Sequence, residues 1–164
     1  MRKILTIATA LALSVVGLSA CSSGDSASQR ATRKAADAAA INDLEVVFHR
    51  AMSTKDIDSM MSLYSNDAVF TVGGQSYAGK EQIRKFISTQ AGPFKPENHW
   101  VSETPAYKIR LTSNGDRGTL YFECHYVDVD SKVVKSSVSA DVKVSRVNGR
   151  WMFTNVTAAP AVLS

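Results

Sequence analysis

Residues 55–87, KDIDSMMSLYSNDAVFTVGGQSYAGKEQIRKFI, switch hydrophobic period twice, and that switch decides the fold. Asp56 stands where a helix needs an N-cap. Ile57, Met60, Met61 and Tyr64 follow at the i, i+3, i+4, i+7 spacing of a short amphipathic helix. Ser65-Asn66-Asp67 ends that helix, Ala68–Val72 is a short apolar strand, and Gln75–Ala78 returns beside it. Gly73-Gly74 between them is the turn of a hairpin. It lacks the strand-to-helix setting of a phosphate loop. Gly79 then opens a helix with Ile83, Phe86 and Ile87 on one face, stopped by the loop that carries Pro93 and Pro96.

Upstream, helical periodicity starts near Ala36. Ile41, Leu44, Val47, Phe48 and Ala51 make an apolar face, and Asn42, Glu45 and His49 fall on the other. Downstream, the chain reads as strand: His99–Ser113, Arg117–Asp128, Val133–Val147 and Trp151–Thr157, separated by Asn114-Gly115, Asp130-Ser131 and Asn148-Gly149. Leu120, Phe122, Cys124 and Tyr126 form one row and Tyr121, Glu123 and His125 the opposite one. Val138, Ala140, Val142 and Val144 alternate with Ser139, Asp141, Lys143 and Ser145. Trp151 and Phe153 read as inward core residues on the last strand. The helices and the sheet cannot bury their apolar sides separately. The expected fold is therefore α+β: three N-terminal helices closed over one face of a strongly curved antiparallel sheet, as a cone.

The N-terminus is of a different kind. Arg2 and Lys3 precede an uncharged apolar run from Ile4 to Leu18, of the length of a signal-peptide core and short for a membrane span. The run ends in Leu18-Ser19-Ala20-Cys21, which resembles the lipobox of bacterial lipoproteins. That resemblance implies cleavage before Cys21, a diacylglycerol on its thiol, and a chain held extracytoplasmically in the bacterial cell envelope by its lipid anchor. The alternative is an ordinary signal peptide cut after Ala20, with Cys21 uninvolved. The expected organisation is a removed signal peptide at 1–20, a lipidated flexible tether at 21–35 (Ser22 to Lys34 being small, polar and charged), and a single domain at 36–160.

Charge follows this division. The chain has 19 Lys and Arg against 15 Asp and Glu, but Arg2 and Lys3 belong to the signal and Arg30, Arg33, Lys34 and Asp25 to the tether. The rest balances at 14 basic and 14 acidic residues, with no basic cluster, so there is no electrostatic footprint for nucleic acid. The tether cations would favour an anionic membrane surface by about 1 kcal/mol each if held near it, or are simply solvated. With Cys21 acylated, Cys124 is the remaining thiol, so no intramolecular disulfide forms. It reads as buried and inert, because His125 beside it points to the opposite face. His49, His99 and His125 lie on separate elements without H-x-x-x-H or Cys/His spacing, so no metal site and no cofactor are expected. His49 with Glu45 at i, i+4 reads as a surface helix pair.

The succession KDIDSMMSLYSNDAVFTVGGQSYAGKEQIRKFI, NHWVSETPAYKIRLTSNGDRGTLYFE and NGRWMFTNV resembles the SnoaL-like group of the nuclear transport factor 2-like superfamily, over about Ala36 to Ala159. The resemblance implies a conical fold with an internal pocket, often dimeric through the sheet. It implies no one reaction, since the superfamily holds isomerases, dehydratases, cyclases and partner-binding modules. Ketosteroid isomerase-type catalytic positions match Phe48 and Val72, neither of which moves a proton. Scytalone dehydratase-like enzymes have an aspartate that falls at or next to Ser53 and a histidine that matches His99. His99 is thus the candidate acid/base, against the plainer role of a strand-end histidine bonded to backbone or water. Pocket-lining residues are expected to be Phe48, Tyr64, Val72, His99, Val101, Phe122, Cys124 and Asn155. The preferred expectation is a lipid-anchored domain that binds a small apolar ligand or a protein partner without catalysis. The alternatives are a cofactor-independent lyase or isomerase using His99, and an envelope assembly or accessory protein acting through its sheet surface.

Overall fold

The computed structural model describes residues 26–104 and 110–161; Cys21 and the expected signal peptide lie outside them. Helix α1 runs Ala27–Thr54, α2 Ile57–Ser62 and α3 Lys80–Gln90, with a 3₁₀ turn at Gly92–Phe94. The strands are β1 Tyr64–Val72, β2 Gln75–Ala78, β3 Trp100–Glu103, β4 Arg110–Asn114, β5 Arg117–Asp128, β6 Val134–Val147 and β7 Arg150–Pro160.

Helix α1 starts well before Ala36, so the residues from Ala27 to Lys34, expected in the flexible tether, are helical and exposed. A capping box explains the early start. Gln29 N donates to Ser26 Oγ at 3.2 Å and Ser26 N to Gln29 Oε1 at 2.8 Å, which satisfies two donors that a helix start otherwise leaves orphaned. Lys55 closes α1 in the left-handed conformation, and Asp56 caps α2 through Ser59 N at 2.9 Å. Helix α2 is shorter than its periodicity suggests. It ends at Ser62, and Tyr64 opens β1 rather than closing the helix.

Both central residues of the β1–β2 turn, Gly73 and Gly74, have positive φ (58° and 80°), the conformation whose twist suits a two-residue hairpin. Asn148 and Gly149, at 50° and 79°, repeat it between β6 and β7.

The sheet order is β2-β1-β7-β6-β5-β3, with β4 also on β5. Two expectations change. The sheet is mixed rather than antiparallel throughout, because β1 runs parallel to β7. The expected strand from His99 to Ser113 is two strands sharing one edge: β3 pairs with His125–Asp128 and β4 with Arg117–Tyr121.

Helix α1 lies across the inner face. Leu120, Phe122, Cys124, Tyr126, Ala140, Val142 and Val144 are buried as alternation requires. Phe48 stacks edge-on against Phe122 at 5.1 Å, and Tyr64 against Phe153 at 5.4 Å. On β7 a bulge resets the alternation. Val144 pairs with Phe153 but Lys143 with Asn155, so Thr154 is the extra residue and the inward positions pass from Phe153 to Val156 and Ala158.

This bulge makes a measurable prediction. Phe153→Ala should cost about 3–5 kcal/mol and Val156→Ala about 1–3 kcal/mol, whereas Asn155→Ala should stay within about 0.5 kcal/mol of wild type. Urea midpoints decide it: an Asn155→Ala variant as damaged as Val156→Ala would mean that alternation runs unbroken through β7.

Candidate functional site

Between α3 and the inner face of the sheet lies a partly open cavity of about 470 Å³. Phe48 and Met52 reach it from α1, Phe70 and Val72 from β1, and Phe86, Ile87 and Gln90 from α3. The sheet contributes Trp100, Cys124, Tyr126, Ser136, Val138, Ala140, Val156 and Ala158. Its walls are aromatic pairs: Phe86 stacks on Tyr77 at 4.3 Å and meets Phe70 at 5.4 Å, and Trp100 stacks on Tyr126 at 6.3 Å. The space persists because the adjacent strands β6 and β7 present Ala140 and Ala158, whose methyls are too short to fill the hollow of a curved sheet. Gly92 seats Trp100: a Cβ there would lie 2.8 Å from the Trp100 ring.

Of the residues expected in the pocket, Phe48, Val72 and Cys124 line this cavity. Phe122 and Tyr64 are fully buried in the packed core beside it. Val101 is half-buried and takes the opposite phase on β3 to Trp100 and Ser102. Asn155, turned out by the β7 bulge, lines a groove of about 350 Å³ on the other face of the sheet, with Arg110, Tyr121, Asp141 and Lys143. His99 is outside the cavity altogether. Its side chain is 64% exposed and its Nδ1 lies 3.3 Å from Asp130 Oδ2, so it is a surface histidine before β3 whose partner is a carboxylate, where backbone or water was expected. Tyr126 is a lining residue that the inward row of β5 already marked. Phe86 and Ile87 belong to the apolar face read for α3, and Trp100 carried no such signal.

His49 is the larger correction. It is not at the surface: His49 and Glu45 are 8% and 5% exposed, turned against β3 and β5. Their desolvation is met by a bonded cluster. His49 Nδ1 is 2.7 Å from Ser102 Oγ, His49 Nε2 meets Thr104 Oγ1 and lies 3.2 Å from Glu45 Oε1, and Thr104 Oγ1 donates to Glu45 Oε1 at 2.5 Å. Thr104 thus bridges Glu45 and the Nε2 edge of His49, and Ser102 engages the Nδ1 edge. Ser53 Oγ accepts from Ser102 N at 2.8 Å and donates to the His49 carbonyl, which locks the helix to the strand.

Burial lowers the His49 pKa to about 4 and raises that of Glu45, and burial pushes the Cys124 thiol up to about 12. At neutral pH the imidazole is uncharged and the thiol protonated. Cys124 Sγ, 3.9 Å from His49 Nε2, stands between this cluster and the cavity. Both imidazole nitrogens are engaged by the protein's own groups, so the cluster holds α1 in place and leaves no free base facing the cavity. Among the described residues there is no group of three or more His, Cys, Asp or Glu arranged to hold a metal ion.

The pH dependence follows with a definite sign. As pH falls below about 6.5 the unfolded chain protonates His49 before the folded one does, so stability drops until about pH 4 and then levels off, by up to about 3 kcal/mol. Glu45 acts oppositely: its raised folded pKa makes acidification favourable just above pH 4.5, which offsets part of that loss. Denaturant midpoints between pH 7 and 4 should therefore fall for wild type and fall less for His49→Gln. Parallel profiles for the two proteins would contradict a buried neutral imidazole.

A family model described as a SnoaL-like domain matches residues 33–157. A protein of unknown function from Mycobacterium tuberculosis superposes with a TM-score of 0.71 at 14% identity, over 84% of this chain and 79% of that one. A nuclear transport factor 2-like protein with a cystatin-like fold from Novosphingobium aromaticivorans gives 0.70 at 16% identity, over 85% and 93%. A hexachlorocyclohexane dehydrochlorinase from Novosphingobium barchaimii gives 0.64 at 18% identity, over 79% and 90%. At such identities the likeness is one of fold. No curated protein matches the chain significantly. The family match spans both the helices and the sheet that enclose the cavity, and the chain belongs to the SnoaL-like domain family.

Proposed function

We propose that this chain is a membrane-anchored, extracytoplasmic binding domain whose cavity holds a small, largely apolar molecule and does not transform it. The observation that carries this reading is the cavity itself. At about 470 Å³ it falls within the roughly 300–1,000 Å³ range of small-molecule sites, and its walls are aromatic and aliphatic with few polar groups. His99, on which the lyase or isomerase reading rested, is exposed and does not line the cavity, which supports the reading without catalysis.

The anchor reading rests on Leu18-Ser19-Ala20-Cys21. Because α1 begins at Ala27, Cys21 can stand no more than about 20 Å of extended chain from the start of the helix. A protein purified from its own host tests both parts in one mass spectrum. Denaturing conditions should give a mature chain starting at Cys21 with a covalent diacylglycerol. Native conditions should show an added small molecule, lost in Ala140→Phe, which fills the cavity. An unmodified Cys21 overturns the anchor, and a native mass equal to the denatured one overturns the binding function.

A further inference from the structure

The cavity carries a directional charge, and the backbone is shaped to place it. On β6, Val138, Ala140, Val142 and Val144 face inward, so unbroken alternation would send Ser136 in and Lys135 out. The register departs from that. Tyr126 pairs with Ser136 while Val127 pairs with Val134, which leaves Lys135 as the extra residue of a bulge, a device that re-aims a side chain. As a result Lys135 and Ser136, adjacent in sequence, both line the cavity, together with Gln90 from the end of α3. Lys135 is the one charged residue among the described residues of that lining. The nearby carboxylate, Asp128, accepts from Ser131 N and Oγ at 2.8 and 2.7 Å through one oxygen, Oδ1, and is also within electrostatic reach of Lys135. Gln90 and Lys135 are exposed, whereas the lining aromatics Phe48, Phe70 and Tyr126 are buried, so the polar groups sit at the mouth and the apolar ones inside.

We propose that the occupant is an amphiphile with one apolar tail and one carboxylate, the tail between Phe70, Phe86 and Trp100 and the head at Lys135, Ser136 and Gln90. One ammonium, one hydroxyl and one carboxamide match a monoanion. A dianionic head would leave a charge uncompensated near Asp128. This assignment rests on the binding function above and adds the chemical class of the ligand.

Titration calorimetry of the full chain with decanoate and with decanol separates the two ideas, using wild type and Lys135→Gln. Wild type should bind decanoate about tenfold or more tightly than decanol. Lys135→Gln should erase that preference while keeping the decanol affinity, which also shows that the variant is folded. Equal wild-type affinities, or a decanoate preference that survives in Lys135→Gln, overturn the head-group assignment and leave the binding function standing. Failure of both compounds to bind wild type overturns both.

Discussion

The rotation of α1 about its own axis is the constraint on which the rest of this structure depends. Two polar anchors set it. Near the start of its buried stretch, Asp37 accepts hydrogen bonds from Arg146 and from Trp151 Nε1, with the Arg146 guanidinium 4.9 Å above the Trp151 ring. Further along, Glu45 and His49 are held by Ser102 and Thr104. These anchors turn Ile41, Phe48 and Met52 towards the sheet and leave Leu44 and Val47 half-buried at the side. Removing one partner of a buried polar group leaves the other unsatisfied, at a cost of about 1–3 kcal/mol, so the anchors specify one orientation as well as tolerate it. With the helix in that orientation, Phe48 closes the cavity on one side and Cys124 closes off the polar cluster beneath it.

Much of the architecture was legible in the residues, and the failures share one physical origin. The alternating rows of β5 and β6 and the glycine turns are local patterns, and the structure keeps them. Helix α1 misleads because its strongest apolar stripe is not its buried stripe. Asp37, Glu45 and His49 are buried at the expense of partners far along the chain, and no local period records such a partner. The bulges at Thr154 and Lys135 are also silent, since an inserted residue changes the facing of everything beyond it without changing composition. Asn155 was misplaced for that reason. The early start of α1 did leave a readable mark, the Ser26-x-x-Gln29 capping box.

The candidate site shows the same division. Phe48, Val72 and Cys124 were recognisable because they lie on elements whose facing was clear, while Trp100 depends on a loop and on the small Gly92 opposite it. His99 attracted a functional reading through its position in a family pattern. Its exposure and its pairing with Asp130 show how little a matched residue type says without its surroundings. The histidine that the fold does invest in is His49, and its role is to hold the helix.

A crystal structure of the full chain isolated from its own host would test the central claim most directly, because the claim is that the space between α3 and the sheet is an occupied site. Continuous, elongated density should fill the cavity between Phe70, Phe86 and Trp100, with one end at Lys135 and Ser136. A cavity holding only water, or closed by Phe86 or Trp100 swung into it, would contradict the account.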